Sequence, residues 1–535
     1  MLRRAVSTIL LLIVLGLPLG LPLRELFARD SWSAWNEVDR VAELVANTLA
    51  LCALTLLFVL PPGLILAMLL YRTDLPGRRL FRSVLAIALF VPLPLFALAW
   101  QSAGGGGWRP WTQGLLPAAL IHAAAALPWV VGLTGLGLSR VEPELEEDAL
   151  LVAPARRVFW AVSLRRAAPA IGLATVWVVL QAAGEITVTD LMVVRTFAEE
   201  VYTQFVTGGR DALGRAVAVS LPASLIAIAA VAALCRRWEG RLAVATSARP
   251  PLVVPLGRAR WPLFACVLVG IAGYVGVPVA SLGVQASGGE SGSIARFAVE
   301  MRRAIQLHTG MILDSLLWAA AAGVVAAGLA LLSSWAAVDS RWLRRLLFAI
   351  AIALWAVPGP VLGFGLKEAI DLLMDLEDVV LGWTTARPAR AVLYDLSTPL
   401  PVLWAHVARL FPYAVAIVWP AVRDVPRDLR EAARTDGATP WREFRHVVWP
   451  ATRGAAALAA VAVAALALGE LAASKLVQVP GRQTFAQELF MQMHYAATST
   501  TAALALVQLA LTVLVGAAIA WSARVKTRAA FDRHS

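Results

Sequence analysis

The sequence predicts an all-α polytopic membrane protein of about 12 transmembrane helices, arranged as two parallel six-helix repeats. Three observations carry this. The 535 residues are 59% hydrophobic and 15% charged, whereas soluble domains carry about 25% charged residues. Apolar runs of roughly 20 residues, the length that crosses a bilayer, recur along the whole chain. Landmarks of the first half also return in the same order in the second.

The spans fall at about 5–23, 45–70, 84–100, 115–138, 169–186 and 216–235, then at 261–282, 313–337, 345–366, 400–422, 454–471 and 502–522. Their Ala, Gly, Ser and Thr content suits close helix packing in lipid. Arg3 and Arg4 precede the first run, and no small-residue cleavage site follows it, so an uncleaved span is expected. Basic residues set the orientation. With the N-terminus inside, internal segments hold 31 Lys+Arg and external ones 15, and Arg409 is left inside a span. Both termini are then cytoplasmic and the loop at 367–399 is external. Topology and anionic membrane lipid account for the net charge of +12, so no nucleic-acid partner is needed. Cys52 and Cys266 lie in spans and Cys235 at a span end, with no disulfide pair and no metal-type spacing.

The repeat is collinear. Val91-Pro92 returns as Val357-Pro358, Leu116-Pro117 as Leu400-Pro401, His122 as His406 and Pro128 as Pro412. Glu147 returns as Glu431, Gly184-Glu185 as Gly469-Glu470, and Thr196-Phe197-Ala198 as Thr484-Phe485-Ala486. Six crossings preserve sidedness, so the repeat is parallel. Residues 1–240 form a first unit with a charged loop at 141–168. A basic, Pro-containing linker at 241–260 leads to a second unit, 261–535, with its loop at 425–453.

Each loop is an amphipathic stretch between two spans. The second reads Glu431-Ala432-Ala433-Arg-Thr-Asp-Gly437-Ala-Thr-Pro-Trp441-Arg-Glu-Phe444, with Pro450 beyond; the first contains Glu147-Asp148-Ala149, Ala153, Phe159-Trp160 and Arg165. The alanines permit close approach, and Gly437 suits a left-handed helix end. Trp441 and Phe444, three apart, share a helical face and offer an apolar knob. One such stretch reads equally as a solvated amphipathic helix; two matched copies favour a docking element.

These segments resemble the EAA loop of ABC-importer permeases, and each half resembles one permease unit of the type I importers. The fused double unit is similar to ferric-iron and thiamine importer permeases. The resemblance implies that Glu431, Ala432, Ala433 and Gly437, with Trp441 and Phe444 beside them, are gripped by a separate ATPase. By position, Glu147, Ala149 and Ala153 do the same in the first loop, where Asp148 replaces an alanine, Ala153 the glycine and Arg165 the proline. It further implies two copies of an ABC ATPase, an external substrate-binding protein (periplasmic or lipid-anchored) and residence in a bacterial inner membrane. ATP and Mg are then expected on the ATPases and no cofactor on this chain. The substrate it implies is ferric iron, with thiamine or another small solute as alternatives.

Lys367, Lys475 and Lys526 follow Leu366, Ser474 and Val525, so none completes a Gly-Lys-[Ser/Thr] phosphate loop. ATP hydrolysis therefore belongs to another chain, and this one is not an enzyme. Glu185 and Glu470 end the span after each loop. A carboxylate at membrane depth is a candidate pathway group or else a hydrogen-bonded or ion-paired scaffold element. Lys475 is a candidate partner for Glu470, with Asp190 in its place in the first half. His122 and His406 are either buried interface histidines or pathway residues. Arg409, matched by Ala125, is a pathway candidate or half of an internal ion pair. Gly104–Gly107 reads as an external loop tip. The alternative class is a secondary transporter of the major facilitator type, whose interspan loop Asp74-Leu-Pro-Gly77-Arg78-Arg79 resembles, with Leu75 in place of an arginine. A membrane-embedded enzyme lacks any catalytic constellation here.

Overall fold

The computed structural model describes residues 2–27, 30–103, 113–207, 212–238, 251–289, 292–381, 387–395, 398–478, 481–494 and 499–531. The Gly104–Gly107 tip and residues 241–250 of the linker lie outside them. Regular structure among the described residues is helical, apart from one isolated bridge between Thr73 and Val254.

In chain order the helices are α1 (Arg3–Phe27), α2 (Val38–Arg72), α3 (Arg78–Ala88), α4 (Leu93–Ala103), α5 (Leu115–Leu138), α6 (Pro143–Leu150), α7 (Ala155–Gly184), α8 (Thr187–Leu191), α9 (Phe197–Thr207) and α10 (Ala212–Trp238). The series continues with α11 (Arg260–Ala286), α12 (Ile294–Ala337), α13 (Arg341–Ala356), α14 (Gly359–Leu381), α15 (Leu400–Arg423), α16 (Arg427–Thr435), α17 (Pro440–Ala467), α18 (Phe485–His494) and α19 (Ser499–Phe531).

Ten of these carry stretches long and apolar enough to cross a membrane, and twelve spans result only if two bent pairs are counted. The expected spans 84–100 and 345–366 are those pairs. α3 and α4 meet at 107°, and α13 and α14 at 117°. The breaks fall at Val91-Pro92 and Val357-Pro358. Proline cannot donate to the preceding turn, and it pushes the residue before it out of the helical region; Val357 is extended, with φ −75° and ψ 131°. α12 contains the expected span at 313–337 and extends it at its N-terminal end. Its 44 residues run about 66 Å, twice the hydrocarbon thickness.

The described chain forms two compact units, and these interleave the sequence halves. One unit gathers Met1–Glu37, Glu200–Ser224 and Leu307–Met491. In it α1 packs along α14, and α15 packs against α13 and α17. Small residues set these contacts. A methyl group on Gly365 would lie 1.8 Å from the Pro18 carbonyl oxygen, and one on Gly323 would lie 2.1 Å from that of Ala460.

The other unit gathers Val38–Glu199, Leu225–Gln306 and Gln492–Ser535. There α2 packs on α5 and α7, α11 on α4 and α19, and α19 on α3. Leu70, Leu75, Phe81, Leu138, Ala167 and Val267 share one apolar core. Leu51, Phe96, Ala118, Ile121 and Met192 share another.

Candidate functional site

The second loop is a helix–turn–helix. α16 ends on a left-handed residue, Gly437, with φ +77°. Gly437 N–H donates to the Arg434 carbonyl at 3.0 Å, and Ala438 N–H to that of Ala433 at 2.9 Å. These are the paired hydrogen bonds that close a helix on glycine. Thr439 Oγ1 then accepts from Arg442 N–H at 3.4 Å and caps α17. α17 runs on through a wide turn at Phe444–Val448, so the helix begins ten residues before Pro450, not at it. The wide turn comes just before the position whose missing N–H would interrupt the ladder. The first loop has the same wide turn at Phe159–Ser163.

Glu431, Ala432 and Gly437 are exposed and Ala433 is half-buried. Trp441 is exposed at 61%. Phe444, expected beside it on the surface, is buried instead. It stacks on Trp441 (5.3 Å) and lies tilted against Trp335 (4.8 Å). The surface knob is therefore Trp441 alone, seated on an aromatic pile whose far side carries the Arg3 guanidinium, 4.9 Å from the Trp335 ring centre.

Beneath this surface lies an ionic cluster that sequence reasoning missed. Arg430 Nε donates to Glu443 Oε1 at 3.0 Å, and its Nη2 to Asp339 Oδ2 at 2.6 Å. Arg434 reaches Glu443 Oε2 and Asp339 Oδ2, both at 2.9 Å, and Arg3 joins Asp339 Oδ2 at 2.8 Å. Burial alone would raise the Asp339 pKa, but hydrogen bonds from Arg3, Arg430 and Arg434 lower it to about 2. Glu443 is likewise lowered, with hydrogen bonds from Arg434 and Arg430 outweighing its burial.

The first loop reaches the same arrangement with different residues. α6 ends without a left-handed residue: Val152 and Ala153 N–H both donate to the Ala149 carbonyl, at 3.2 and 3.0 Å. Pro154 then starts α7. Glu147 is exposed, and Ala149 and Ala153 are half-buried. Glu146 is buried and paired with Arg72, and it accepts from Ser163 Oγ. Arg72 Nη1 also donates to the Leu138 carbonyl at 3.0 Å. Glu146 and Arg430 occupy one repeat position and carry opposite charge. That inversion was the available signal.

The intramembrane candidates sit as follows. Glu185 accepts from Thr187 and Val188 N–H at 2.8 and 2.9 Å. Glu470 accepts from Ala473 and Ser474 N–H at 2.8 and 3.1 Å. Each carboxylate thus caps the short helical segment after it. His406 Nε2 lies 3.8 Å from Glu470 Oε2. The expected Glu470–Lys475 pair does not form. The backbone takes both Glu470 oxygens, and the Lys475 ammonium sits over Phe490 at 4.9 Å and Tyr202 at 5.9 Å. His122 is buried, and its Nε2 has no hydrogen-bond partner among the described residues.

Arg409 turns back on its own unit. Its Nη1 donates to the carbonyls of Leu354 (3.2 Å) and Val357 (2.8 Å). These belong to the last turn of α13 and the break beyond it, where carbonyls lose their helical donors. Arg409→Ala is therefore expected to destabilise the bent pair by roughly 1–3 kcal/mol per orphaned carbonyl. Thermal unfolding of the detergent-purified protein would show this as a lower midpoint. An unchanged midpoint would mean that the bend needs no such donor.

Residues 322–527, which include the second loop, match the family described as "Binding-protein-dependent transport system inner membrane component". The molybdenum transport system permease protein ModB of Escherichia coli K12 is 29% identical over 219 residues, covering 37% of this chain and 93% of that relative. The ModB of E. coli O157:H7 matches to the same extent.

Proposed function

We propose that the chain is a permease subunit of the binding-protein-dependent ABC importer type, a multi-pass inner-membrane protein and not an enzyme, and that its two loops are the places where two ATPase subunits grip it. The observation that carries this is the duplication. In both halves a short exposed helix, bearing Glu147 or Glu431, is fixed from beneath by a buried ion pair. A surface so held transmits force instead of yielding to it. In this reading ATP and Mg reside on the ATPases, and both termini and both loops face the compartment that holds ATP. An external binding protein delivers the cargo. The loop at Asp74, which had suggested a secondary transporter, fits a structural role: Asp74 Oδ1 accepts from Leu256 N–H at 2.9 Å, and Arg78 donates to the Thr73 carbonyl.

For substrate we propose a small oxyanion of the molybdate kind. The support is the relative named for molybdenum transport, molybdenum being an oxyanion in neutral water. Ferric iron and thiamine, which the fused architecture suggested, are the competing cargoes. A host strain lacking this chain is expected to accumulate less molybdenum from limiting molybdate while iron and thiamine uptake stay normal. A defect in iron or thiamine uptake instead would reassign the cargo. No uptake defect for any small solute would remove the importer reading for this chain.

A further inference from the structure

We infer that Arg72 and Asp339 are positioning residues for coupling. Each is the hub of a three-way junction joining a loop, the second span of its own half, and the segment that enters the first span of the other half. The inference rests on the loops being ATPase docks.

At the first junction, Arg72 ends α2. Its side chain pairs with Glu146 of α6, with only 3% and 2% of the two side chains exposed. Its carbonyl accepts from Val254 N–H at 2.8 Å. Two residues on, Asp74 holds Leu256 N–H. Residues 254–256 lead directly into α11, the opening span of the second half. Leu256 also packs on the core that holds Leu70, Leu75 and Phe81.

At the second junction, Asp339 follows α12. Its carboxylate holds Arg430 and Arg434 of α16 and Arg3. Its carbonyl accepts from Arg4 Nη2 at 3.1 Å. Arg3 and Arg4 lead α1, the opening span of the first half. The wiring matches while the charges are exchanged: a basic hub and acidic loop in one half, an acidic hub and basic loop in the other. Two opposite chemistries yielding one three-way connection indicate that the connection itself matters, not a particular side chain. A loop moved by an ATPase would drag two spans from different halves through one shared contact, buried at Arg72–Glu146 and partly exposed at Asp339. The hubs lie beneath the exposed faces of the loops, so breaking one should uncouple the ATPase without releasing it.

The test uses the full chain, co-expressed with its ATPase and placed in proteoliposomes. ATP turnover of the complex is compared with that of the free ATPase. The unaltered complex is expected to differ several-fold from the free subunit, because the membrane part constrains it. Glu146→Gln should keep the ATPase bound but bring turnover back to within about twofold of the free value, since it leaves Arg72 buried without its counter-charge. The exchanged pair Arg72→Glu with Glu146→Arg should restore the value of the unaltered complex, an outcome that mere misfolding would not give. Val254→Pro, which removes the N–H on the Arg72 carbonyl while leaving the Arg72–Glu146 pair in place, provides a second route should Glu146→Gln fail to accumulate. Turnover unchanged in Glu146→Gln or in Val254→Pro, or an exchanged pair as uncoupled as the single variant, overturns the proposal. So does an unaltered complex that turns over like the free ATPase. Failure of the unaltered chain to retain any ATPase defeats the docking reading first, and this inference with it.

Discussion

Arg430→Ala is expected to unseat the second loop at a cost of about 3–5 kcal/mol, the penalty for breaking a buried charge pair by removing one partner. Of the two arginines that bridge Glu443 and Asp339 among the described residues, Arg430 is the buried one; its side chain is 6% exposed, against 46% for Arg434. Without it, Glu443 keeps one partner that is largely in water. The pH dependence separates this from a packing defect. Asp339 and Glu443 have folded-state pKa values depressed below the ordinary carboxylate range. Their contribution is thus fully present above the unfolded values near 4, and it is lost as pH falls through the folded ones. For Asp339 that window runs from about 4 down to about 2. Melting of the unaltered protein should hold steady down to about pH 4 and fall steeply below it. In Arg430→Ala the midpoint should start lower and decline less with acid. Parallel profiles for the two proteins would show that the cluster does not hold the loop.

On the proposal that the second loop docks an ATPase, Gly437→Val should cost it that grip. The left-handed conformation costs a residue with a side chain roughly 1–2 kcal/mol, and a β-branched residue is the least tolerant of it. A methyl at Gly437 would meet nothing within 4 Å. The penalty is therefore conformational within this chain, and steric only against a docked partner. About 1.4 kcal/mol is a factor of ten in affinity, so the ATPase affinity read by co-purification should drop about five- to thirtyfold. Ala153→Val is the internal control. It sits at the matching place in the first loop, where no left-handed residue occurs, and should lose less than about threefold. Equal losses would mean that the turn geometry plays no part in docking.

Much of this arrangement was legible beforehand. Hydropathy located the spans, and the collinear landmarks located both loops, because bilayer thickness and backbone satisfaction leave few options. Val91-Pro92 and Val357-Pro358 were visible too. Hydropathy counts each as one span containing proline, and the helix bends at both. Phe444 was misplaced because spacing alone cannot tell which side of a short helix faces protein; Trp335, over a hundred residues earlier, decides that. The ionic hubs were hidden for a similar reason. Arg72 and Arg430 fit the basic bias of internal loops, and composition names no partner for either. The exchange of α1 between halves leaves no trace in composition. In lipid an apolar helix has no hydrophobic preference for one neighbour over another, and small residues such as Gly365 settle the choice.

That exchange has a consequence in time. α1 leaves the ribosome early, but the segment that completes its compact unit begins at Leu307. Some 270 residues must be added in between, roughly fifteen seconds to a minute of synthesis at 5–20 residues per second. Through that interval α1 waits in the bilayer without α14, and Arg3 waits without Asp339. A helix that must wait needs to be held by lipid alone. α1, with a mean hydropathy of 2.3, is apolar enough for that. The arginines at its head are a tether kept ready for a late arrival.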